Sequence, residues 1–359
     1  MKKSLQVHFW GHVENTAGSV EKLVLTFARH QTRYTPAIAC KGERNAREEV
    51  EGLAVRSFAE SALKNRLLNK LLGLHAFTFD SLVPIIEEER PDVLHVHNRQ
   101  ELVDPLAARL SYRPAVVVHY HRNFATPCVP EAADLLLAVS DATRRHIVDV
   151  SGTQKPFRVL HNPLSDALLQ HTPAVPDNPR PVILFGGGQV ERKGFPEFVQ
   201  AIRRLKGDCI IKICGPKLEG YAPEQGNVEV LGLIPYTRFI HEMQQADIIA
   251  MPSRKEPFAL MALESLYLGK LLVASNDGGF AEMLGPDYAI LTEPGDVESL
   301  SAGLQSALDM IAGGGERADQ LRVAARRVAE NYTPDVVAER LEGFYDEALE
   351  LAAARAQCA

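Results

Sequence analysis

Cysteine is scarce in this chain, and its spacing excludes a metal cluster built on thiols. The cysteines form no C-x-x-C pair and no short Cys/His cluster with zinc spacing, so we expect reduced thiols in a cytosolic environment. The five are Cys40, Cys128, Cys209, Cys214 and Cys358.

A net positive charge and long apolar runs are also lacking. The net charge is -7 and the pI is near 6.0, which argues against nucleic acid as the main partner because duplex binding needs concentrated Lys and Arg. No apolar run reaches transmembrane length. Gln6, His8 and Gly11 interrupt the amino-terminal segment, so we expect no signal peptide and a cytoplasmic protein.

What the chain does have is 359 residues with 46% apolar composition, enough for two well-packed domains. Strand-like apolar runs alternate with helical periodicity twice over, a pattern typical of the α/β class with doubly wound parallel sheets. The strands expected in the first half are 5–9, 37–39, 93–96, 115–118 and 135–139. Those expected in the second half are 182–185, 210–213, 228–231, 248–251 and 271–274.

A proline-rich segment separates the two halves. Residues 171–181 contain four prolines and cannot propagate a helix, so we interpret them as a stiff linker. This divides the chain into an amino-terminal domain over 1–170 and a second domain over 182–330. Residues 331–359 then form a closing helix with a broad apolar face.

Two glutamates carry the strongest functional signal. Glu256 and Glu264 stand eight positions apart where the strand 248–251 gives way to a helix, and Pro257 suits the first helical turn. Eight positions cover roughly 12 Å of helix, about two turns, and a diphosphate fits in such a gap. Each carboxylate can accept hydrogen bonds from hydroxyl groups at either end of a nucleotide sugar. The alternative is a helix-terminal charge followed by a solvated surface residue.

A glycine-rich turn predicts an anion site. The strand 182–185 runs into Gly186–Gly188, then Arg192 and Lys193, then a helix opened by proline. A dinucleotide site is the competing interpretation, but the third glycine of G-x-G-x-x-G would fall at Glu191, and no acid ends the next strand. A purely structural turn stays open, and we favour nucleoside diphosphate binding.

The first half offers a glycine and two histidine pairs. Gly18 would permit close approach of a ligand. His95 with His97 and His119 with His121 each end a predicted strand, at the edge where open α/β sheets bind ligands. We do not favour zinc, because no suitably spaced carboxylate or thiol accompanies the pairs and they come from different strands. We expect His121 first, and His97 second, to donate a hydrogen bond in a cleft. A structural role stays open.

Taken together, and in their order along the chain, these motifs resemble those of the retaining nucleotide-sugar glycosyltransferases of family four. The E-x7-E pair from Glu256 to Glu264, followed by Gly269, Gly278 and Gly279, is the strongest of them. The supporting segments are 17–21, 92–97, 138–140, 161–163, 192–194, 246–247 and 252–253.

The resemblance implies the GT-B fold, in which two Rossmann-like domains with parallel sheets face each other and a carboxyl-terminal helix crosses back to the first domain. It implies that Glu256 holds the donor sugar, that Glu264 holds the ribose, and that Arg192 and Lys193 bind the diphosphate, with His121 beside the reacting sugar. Catalytic roles would fall to His121, Lys193 and Glu256. The other residues so implied are Gly18, Gly187, Gly188, Phe258, Ala259 and Leu260 for the donor, and His97, His119 and Asn162 for the acceptor or cleft.

Three departures from the family pattern stand out. Gly188 occupies a position where an arginine follows glycine in many members, so Arg192 would supply the missing cation. Ala259 replaces the usual glycine after phenylalanine and crowds the contact to the sugar. Ala17 replaces a glycine common before Gly18.

The implied activity is hexose transfer from a nucleoside-diphosphate sugar to a glycan or lipid-linked acceptor in bacterial polysaccharide or lipopolysaccharide assembly. We favour a UDP-sugar, with GDP-mannose open. No Asp-x-Asp motif is present, so we expect no cofactor and no required metal. Two alternatives stay open: a nucleotide-sugar epimerase, and a non-catalytic nucleotide-sugar-binding protein.

The segment 63–74 combines leucines at helical spacing with three cations, Lys64, Arg66 and Lys70. Basic amphipathic helices favour anionic lipid, so this segment predicts peripheral contact with the cytoplasmic membrane. The alternative is a helix packed on the first domain with its cations in water.

Overall fold

The structure is a computed structural model that describes residues 1–9, 11–12, 19–59 and 76–358. It divides into two compact units, Met1–Ser165 with Pro334–Ala359, and Asp166–Thr333. The division therefore precedes the proline-rich segment 171–181. That segment lies with the second unit because its main chain is bonded there: Lys270 Nζ donates to the carbonyl of Ala174 over 3.0 Å.

The sheet of the first unit has eight strands in the described part of the chain, and its order is β3-β4-β2-β1-β5-β6-β7-β8. All neighbours are parallel except β3 and β4. The strands are β1 Lys2–His8, β2 Tyr34–Gly42, β3 Ala46–Val50, β4 Leu53–Ala59, β5 Val93–His97, β6 Ala115–Tyr120, β7 Leu135–Ala138 and β8 Phe157–Val159. The helices before the unit boundary are α1 Ser19–Arg29, α2 Ala76–Glu89, α3 Val103–Ala107 and α4 Asp141–Ser151.

Three of these strands were not expected from the sequence. β3 and β4 form a hairpin whose loop is Glu51-Gly52, with φ of 52° and 82°. Two left-handed residues make the turn that matches the twist of a hairpin. The sequence of β3 is Ala-Arg-Glu-Glu-Val, and its charged residues suit the exposed edge of a sheet. Because the strand has no apolar run, the hydrophobic pattern of the sequence does not predict it. The third, β8, has only three residues.

The second unit has a six-stranded sheet, all parallel, in the order β11-β10-β9-β12-β13-β14. Its strands are β9 Val182–Phe185, β10 Ile210–Cys214, β11 Val228–Gly232, β12 Ile248–Met251, β13 Leu271–Ser275 and β14 Ile290–Thr292. Its helices are α5 Asp166–Leu169, α6 Phe195–Ile202, α7 Tyr236–Gln245, α8 Leu260–Tyr267, α9 Phe280–Met283, α10 Val297–Ala312 and α11 Glu316–Ala329. The α/β class with two parallel-sheet Rossmann-like domains is confirmed. Only β14 was unexpected here.

The last helix, α12 (Pro334–Cys358), belongs to the first unit. Leu341 and Tyr345 are fully buried, as the apolar pattern predicts. Glu342 is also buried, and its Oε1 accepts hydrogen bonds from the main-chain N–H groups of Thr32 and Arg33, each over 2.7 Å. These hydrogen bonds replace water around the Glu342 carboxylate and so offset the cost of burying its charge.

Among the described residues, no helix is both long enough and apolar enough to cross a membrane.

Candidate functional site

The glycine-rich turn lies at the carboxyl end of β9, in the middle of the second sheet. Gly188 has φ of 61°, and its N–H donates to the carbonyl of Cys214 over 2.9 Å. A Cβ atom at Gly188 would lie 2.2 Å from the carbonyl oxygen of Pro216. The departure at this position therefore has a physical reason, because an arginine would be strained here and would collide with the neighbouring loop.

Replacing Gly188 with Ala should destabilise the second unit by about 2–4 kcal/mol, from a left-handed alanine and a main-chain clash. Thermal unfolding measures the loss. Gly226→Ala is the matched control, since Gly226 has no positive φ and no atom within 4 Å of its Cβ position. Equal melting temperatures for the two variants would contradict the geometry of the turn.

Two cations follow the turn and meet one carboxylate. Lys193 Nζ lies 2.7 Å from Oε2 of Glu256, and Arg192 Nη1 lies 3.1 Å from the same oxygen. The Glu256 side chain is 8% exposed, whereas those of Arg192 and Lys193 are 52% and 29% exposed. A nearly buried carboxylate thus holds two cations that still face solvent, and the three formal charges sum to +1.

Sheet order brings these residues together. β9 and β12 are neighbours, so the loops that follow them run side by side. The N–H of Arg254 donates to the carbonyl of Arg192 over 2.9 Å. A Cβ at Gly194, where φ is 77°, would lie 2.2 Å from the carbonyl oxygen of Pro252. As predicted, α6 begins directly after this turn with proline in its first turn.

The helix after β12 begins later than the sequence indicates. α8 starts at Leu260, so Pro257 is not in its first turn and Glu264 lies one turn into the helix, not two. A second loop contacts the residues before α8, and the N–H of Gly279 donates to the carbonyl of Glu256 over 2.7 Å. A Cβ at Gly279 would lie 2.2 Å from the carbonyl oxygen of Pro257, so only glycine allows this approach.

Glu264 is not a solvated surface residue. It is 5% exposed, and its Oε1 accepts a hydrogen bond from the hydroxyl of Tyr236 over 2.6 Å. The two glutamates are therefore both buried carboxylates with defined partners, one bonded to cations and the other to a phenol.

The residues between Glu256 and Glu264 are mostly buried. Phe258 is 7% and Ala259 is 4% exposed, and the Phe258 ring lies against Tyr332 with centroids 6.2 Å apart. Ala259 caps the start of α8 with φ of -97°. This is an ordinary conformation for alanine, so the backbone does not require glycine there. Leu260 is half-buried at the first position of the helix.

In the first unit, the histidines gather on neighbouring strands. The two pairs do come from different strands, β5 and β6, but these strands are adjacent and pair His97 with His119, so the difference in strand does not separate the rings. His97 and His119 are fully buried, and the ring of Phe27 from α1 lies 6.3 Å and 6.1 Å from theirs. His121 follows β6 and is half-buried.

The hydrogen bonds of His97 link it to two neighbours. Its Nδ1 lies 2.9 Å from Nε2 of His121, and its Nε2 lies 3.1 Å from Oε1 of Gln6 on β1. One nitrogen each from His95, His97 and His119 also lie within 4.8 Å of one another, a spacing that a metal ion could bridge. Within the described residues, however, both nitrogens of His97 already have partners, and that group includes no carboxylate or thiol.

Burial keeps these rings neutral. Desolvation lowers the pKa of His8 and of His121 to about 3. It also lowers the pKa of His95, His97 and His119 well below the usual 6.5, and neighbouring histidines lower these values further. A neutral imidazole at His121 can donate or accept a hydrogen bond, but it carries no charge toward a ligand.

Asn162 follows β8 and is 5% exposed. Its Oδ1 is buried with no hydrogen-bond partner in the described part of the chain. Gly18 lies outside the described residues, as does the segment 63–74.

Four residues of these two regions were not found by sequence reasoning. Tyr236 bonds Glu264, and Asp277 Oδ2 accepts from the N–H of Lys255 over 2.9 Å. Asn98 Oδ1 accepts from the N–H of His121 over 2.9 Å, and Gln6 bonds His97. Asn98 has φ of 51°, a conformation that asparagine tolerates, and this asparagine directly after a strand was the one available signal.

Two family models match this chain, one in each half. The model described as Glycosyltransferase Family 4 matches residues 20–167. The model described as Glycosyl transferases group 1 matches residues 170–328.

Curated relatives are mostly matched over part of their length. The chain is 27% identical to an MMP alpha-(1->4)-mannosyltransferase from Mycolicibacterium hassiacum, over 76% of this chain and 69% of that protein. It is 33% identical to glycogen synthase of Mycobacterium tuberculosis over 32% of this chain, and spans 27% of that protein. It is 28% identical to a GDP-mannose-dependent phosphatidylinositol monomannoside mannosyltransferase of Corynebacterium glutamicum, over 49% of this chain and 53% of that one.

Solved structures share the fold over nearly the whole chain. A glycosyltransferase from Rickettsia africae superposes with a TM-score of 0.75 at 17% identity, covering 97% of this chain and 99% of that one. An Anabaena protein solved with UDP-glucose has a TM-score of 0.71 at 17% identity, covering 96% and 100%.

Proposed function

This chain belongs to the family-four glycosyltransferases of the GT-B fold, and from that membership we propose that it transfers a hexose from a nucleoside-diphosphate sugar to a glycan or lipid-linked acceptor. Retention of the anomeric configuration is part of the proposal. So is a place in the assembly of bacterial cell-surface polysaccharide or lipopolysaccharide.

The pairing of Arg192 and Lys193 with Glu256 carries the proposal. Both cations reach Oε2 of Glu256 at the carboxyl ends of two neighbouring strands, where open α/β sheets bind ligands. A diphosphate brings negative charge that two solvent-facing cations can pair with. Once they do, Glu256 is free to accept hydrogen bonds from sugar hydroxyl groups beside the phosphates.

Charge on the leaving group is the chemical problem that these residues address. When the bond between the sugar carbon and the diphosphate breaks, negative charge grows on the phosphate oxygens and the sugar takes on oxocarbenium-like character. Lys193 and Arg192 are held in place before the reaction and stabilise that charge. We assign this role to the two side chains, so the transfer needs no divalent cation.

The remaining roles follow the resemblance. Glu264 binds the ribose, and Glu256 with the main chain at Phe258 to Leu260 holds the donor sugar. His121, neutral at physiological pH because burial lowers its pKa to about 3, hydrogen-bonds a hydroxyl of the reacting sugar. The acceptor hydroxyl attacks from the face of the leaving group, and a phosphate oxygen takes its proton.

UDP is the nucleotide we favour, and GDP is second. An Anabaena protein of similar fold was solved with UDP-glucose, which supports the first choice. A relative from Corynebacterium glutamicum is named as GDP-mannose-dependent, which supports the second.

A thermal-shift screen of UDP- and GDP-sugars tests the proposal. A donor at about 100 times its Kd adds roughly 2.7 kcal/mol to the native state, enough to raise the melting temperature by several degrees. We expect one nucleotide series to give this shift in EDTA-containing buffer. No shift with any sugar nucleotide would contradict donor binding.

A product assay separates the remaining functions. Transfer requires an acceptor and yields nucleoside diphosphate together with a glycosylated product. An epimerised sugar formed without acceptor would identify an epimerase, and binding without any product would identify a non-catalytic protein.

We further propose that the protein acts in the cytoplasm and meets a lipid-linked acceptor at the inner membrane surface. The basic segment 63–74, with its leucines at helical spacing, supports this contact.

A further inference from the structure

Tyr236 makes a strong hydrogen bond to a buried acid. It is the first residue of α7, and its hydroxyl donates to Oε1 of Glu264 over 2.6 Å. This is the short distance expected when a hydroxyl donates to a charged carboxylate. Since Glu264 is 5% exposed, the bond lies largely out of water, where such interactions are stronger.

A second contact brings α7 and α8 together at the glycine-rich turn. Gly186, the first residue after β9, is packed so closely that a Cβ there would lie 2.8 Å from Sδ of Met261 on α8 and 3.0 Å from the ring of Phe239 on α7. Tyr236 precedes Phe239 by three positions, and Glu264 follows Met261 by three positions. Residues three apart share a helix face, so the Tyr236–Glu264 bond lies on the faces that meet at the glycine turn.

The hydrogen bond from Tyr236 fixes the orientation of the Glu264 carboxylate and leaves it able to accept further hydrogen bonds. An ionised carboxylate has about four lone-pair positions, and one phenol occupies one of them. The glutamate side chain has three rotatable bonds, and fixing them costs conformational entropy each time a ligand binds. Because Tyr236 fixes Glu264 in advance, a ligand with hydroxyl groups meets an acceptor that is already aimed.

We propose that Tyr236 is a positioning residue that aims Glu264 at the neighbouring 2′- and 3′-hydroxyl groups of a ribose, so that the site selects ribonucleoside over 2′-deoxyribonucleoside diphosphates. This inference rests on the proposed function, which assigns the ribose to Glu264. The physical basis of selection is that a 2′-deoxy ligand brings one hydroxyl fewer to a buried carboxylate, which leaves part of its charge without a donor.

Calorimetric titration with UDP and with 2′-deoxy-UDP tests the role. The wild type should bind UDP at least about tenfold more tightly than its deoxy form. Tyr236→Phe should weaken UDP binding about 5- to 30-fold and 2′-deoxy-UDP binding clearly less, because the carboxylate is no longer aimed and UDP brings it two hydroxyl groups where the deoxy form brings one. The ratio of the two affinities therefore falls.

Three further variants separate positioning from simple stability. Tyr288→Phe removes a tyrosine hydroxyl that donates to the carbonyl of Met283 over 2.8 Å, and it should keep the wild-type affinity ratio. Glu264→Ala should abolish the ratio, and adding Tyr236→Phe to it should cause no further loss, because both act through the same carboxylate.

Each result has a distinct meaning. If Tyr236→Phe keeps the preference for UDP, or weakens UDP and 2′-deoxy-UDP equally, the positioning role is overturned while nucleotide binding stands. If the wild type binds neither UDP nor GDP, the proposed function itself fails. If it binds GDP alone, the same comparison is made with GDP and 2′-deoxy-GDP.

Discussion

Replacing Lys193 with Ala should lower turnover with the preferred nucleoside-diphosphate sugar by about 10²- to 10³-fold. Its Nζ lies 2.7 Å from Oε2 of Glu256. In the proposed function it is one of the two cations, with Arg192, that stabilise the leaving diphosphate. The substitution removes a preorganised positive charge where negative charge grows. It also leaves the nearly buried carboxylate of Glu256 with less compensation, which repels the phosphates.

Four measurements make this test specific. Lys206→Ala, at an exposed position of the same unit, should retain normal turnover. Lys193→Arg keeps the positive charge and should recover part of the lost rate. Titration with the donor separates weaker binding from slower chemistry, and melting temperatures confirm that the variants fold. Near-normal turnover of Lys193→Ala would remove Lys193 from the diphosphate site.

Mild acid should unfold the first unit, because five histidines there, four fully buried and His121 half-buried, must stay neutral. Desolvation lowers the pKa of each in the folded state, for His8 and His121 to about 3. Other histidines, His12 among them, lower the pKa values of all but His121 further. The remaining members of this set are His95, His97 and His119.

The direction of the effect follows from proton counting. Above pH 6.5 the histidines are neutral in both states, so they do not make stability depend on pH. Below pH 6.5 each of these histidines binds a proton in the unfolded chain but not in the folded unit. Each therefore lowers the free energy of unfolding by about 1.4 kcal/mol per pH unit. This loss continues until the folded pKa is reached. Together the five histidines lower the free energy of unfolding by about 7 kcal/mol by pH 5.5, comparable to the stability of a whole domain.

Urea unfolding between pH 7.5 and pH 5.5 measures this slope in a range above most carboxylate pKa values. His119→Phe should reduce the slope by about one proton, because it removes a fully buried imidazole and the new ring can pack against Phe27 in its place. His241→Asn, at an exposed position of the second unit, is the control substitution. A flat profile for the wild type would show that the five rings are not buried as described.

The fold was largely predictable because its signals are local. Each half alternates buried apolar runs with helical periodicity, and all ten expected strands are present. The strands that escaped prediction, such as the charged edge strand β3 and the three-residue β8, are stabilised by a hairpin turn or by neighbouring strands. The residues of β3 and β8 do not form an apolar run, so no local pattern marks these two strands.

The candidate site residues were chosen from the sequence, but their geometry was not predictable from it. Glycines, cations and spaced glutamates predict a sugar-nucleotide site, whereas the sequence does not show that α8 starts at Leu260 or that the N–H of Gly279 bonds the carbonyl of Glu256. Tyr236 gave no signal, because nothing local relates the start of α7 to a carboxylate 28 positions further along the chain.

By itself, the sequence determined the two α/β halves, the glycine-rich turn after β9 and the chemical types of the residues around it, because those properties follow from composition and short-range spacing. Only the tertiary structure decided which charges meet. Lys193 and Glu256 are separated by 63 positions, and they touch because β9 and β12 are neighbours in the sheet. It also decided that four of the five histidines are fully buried, since strand adjacency and the helices packed on the sheet remove them from water.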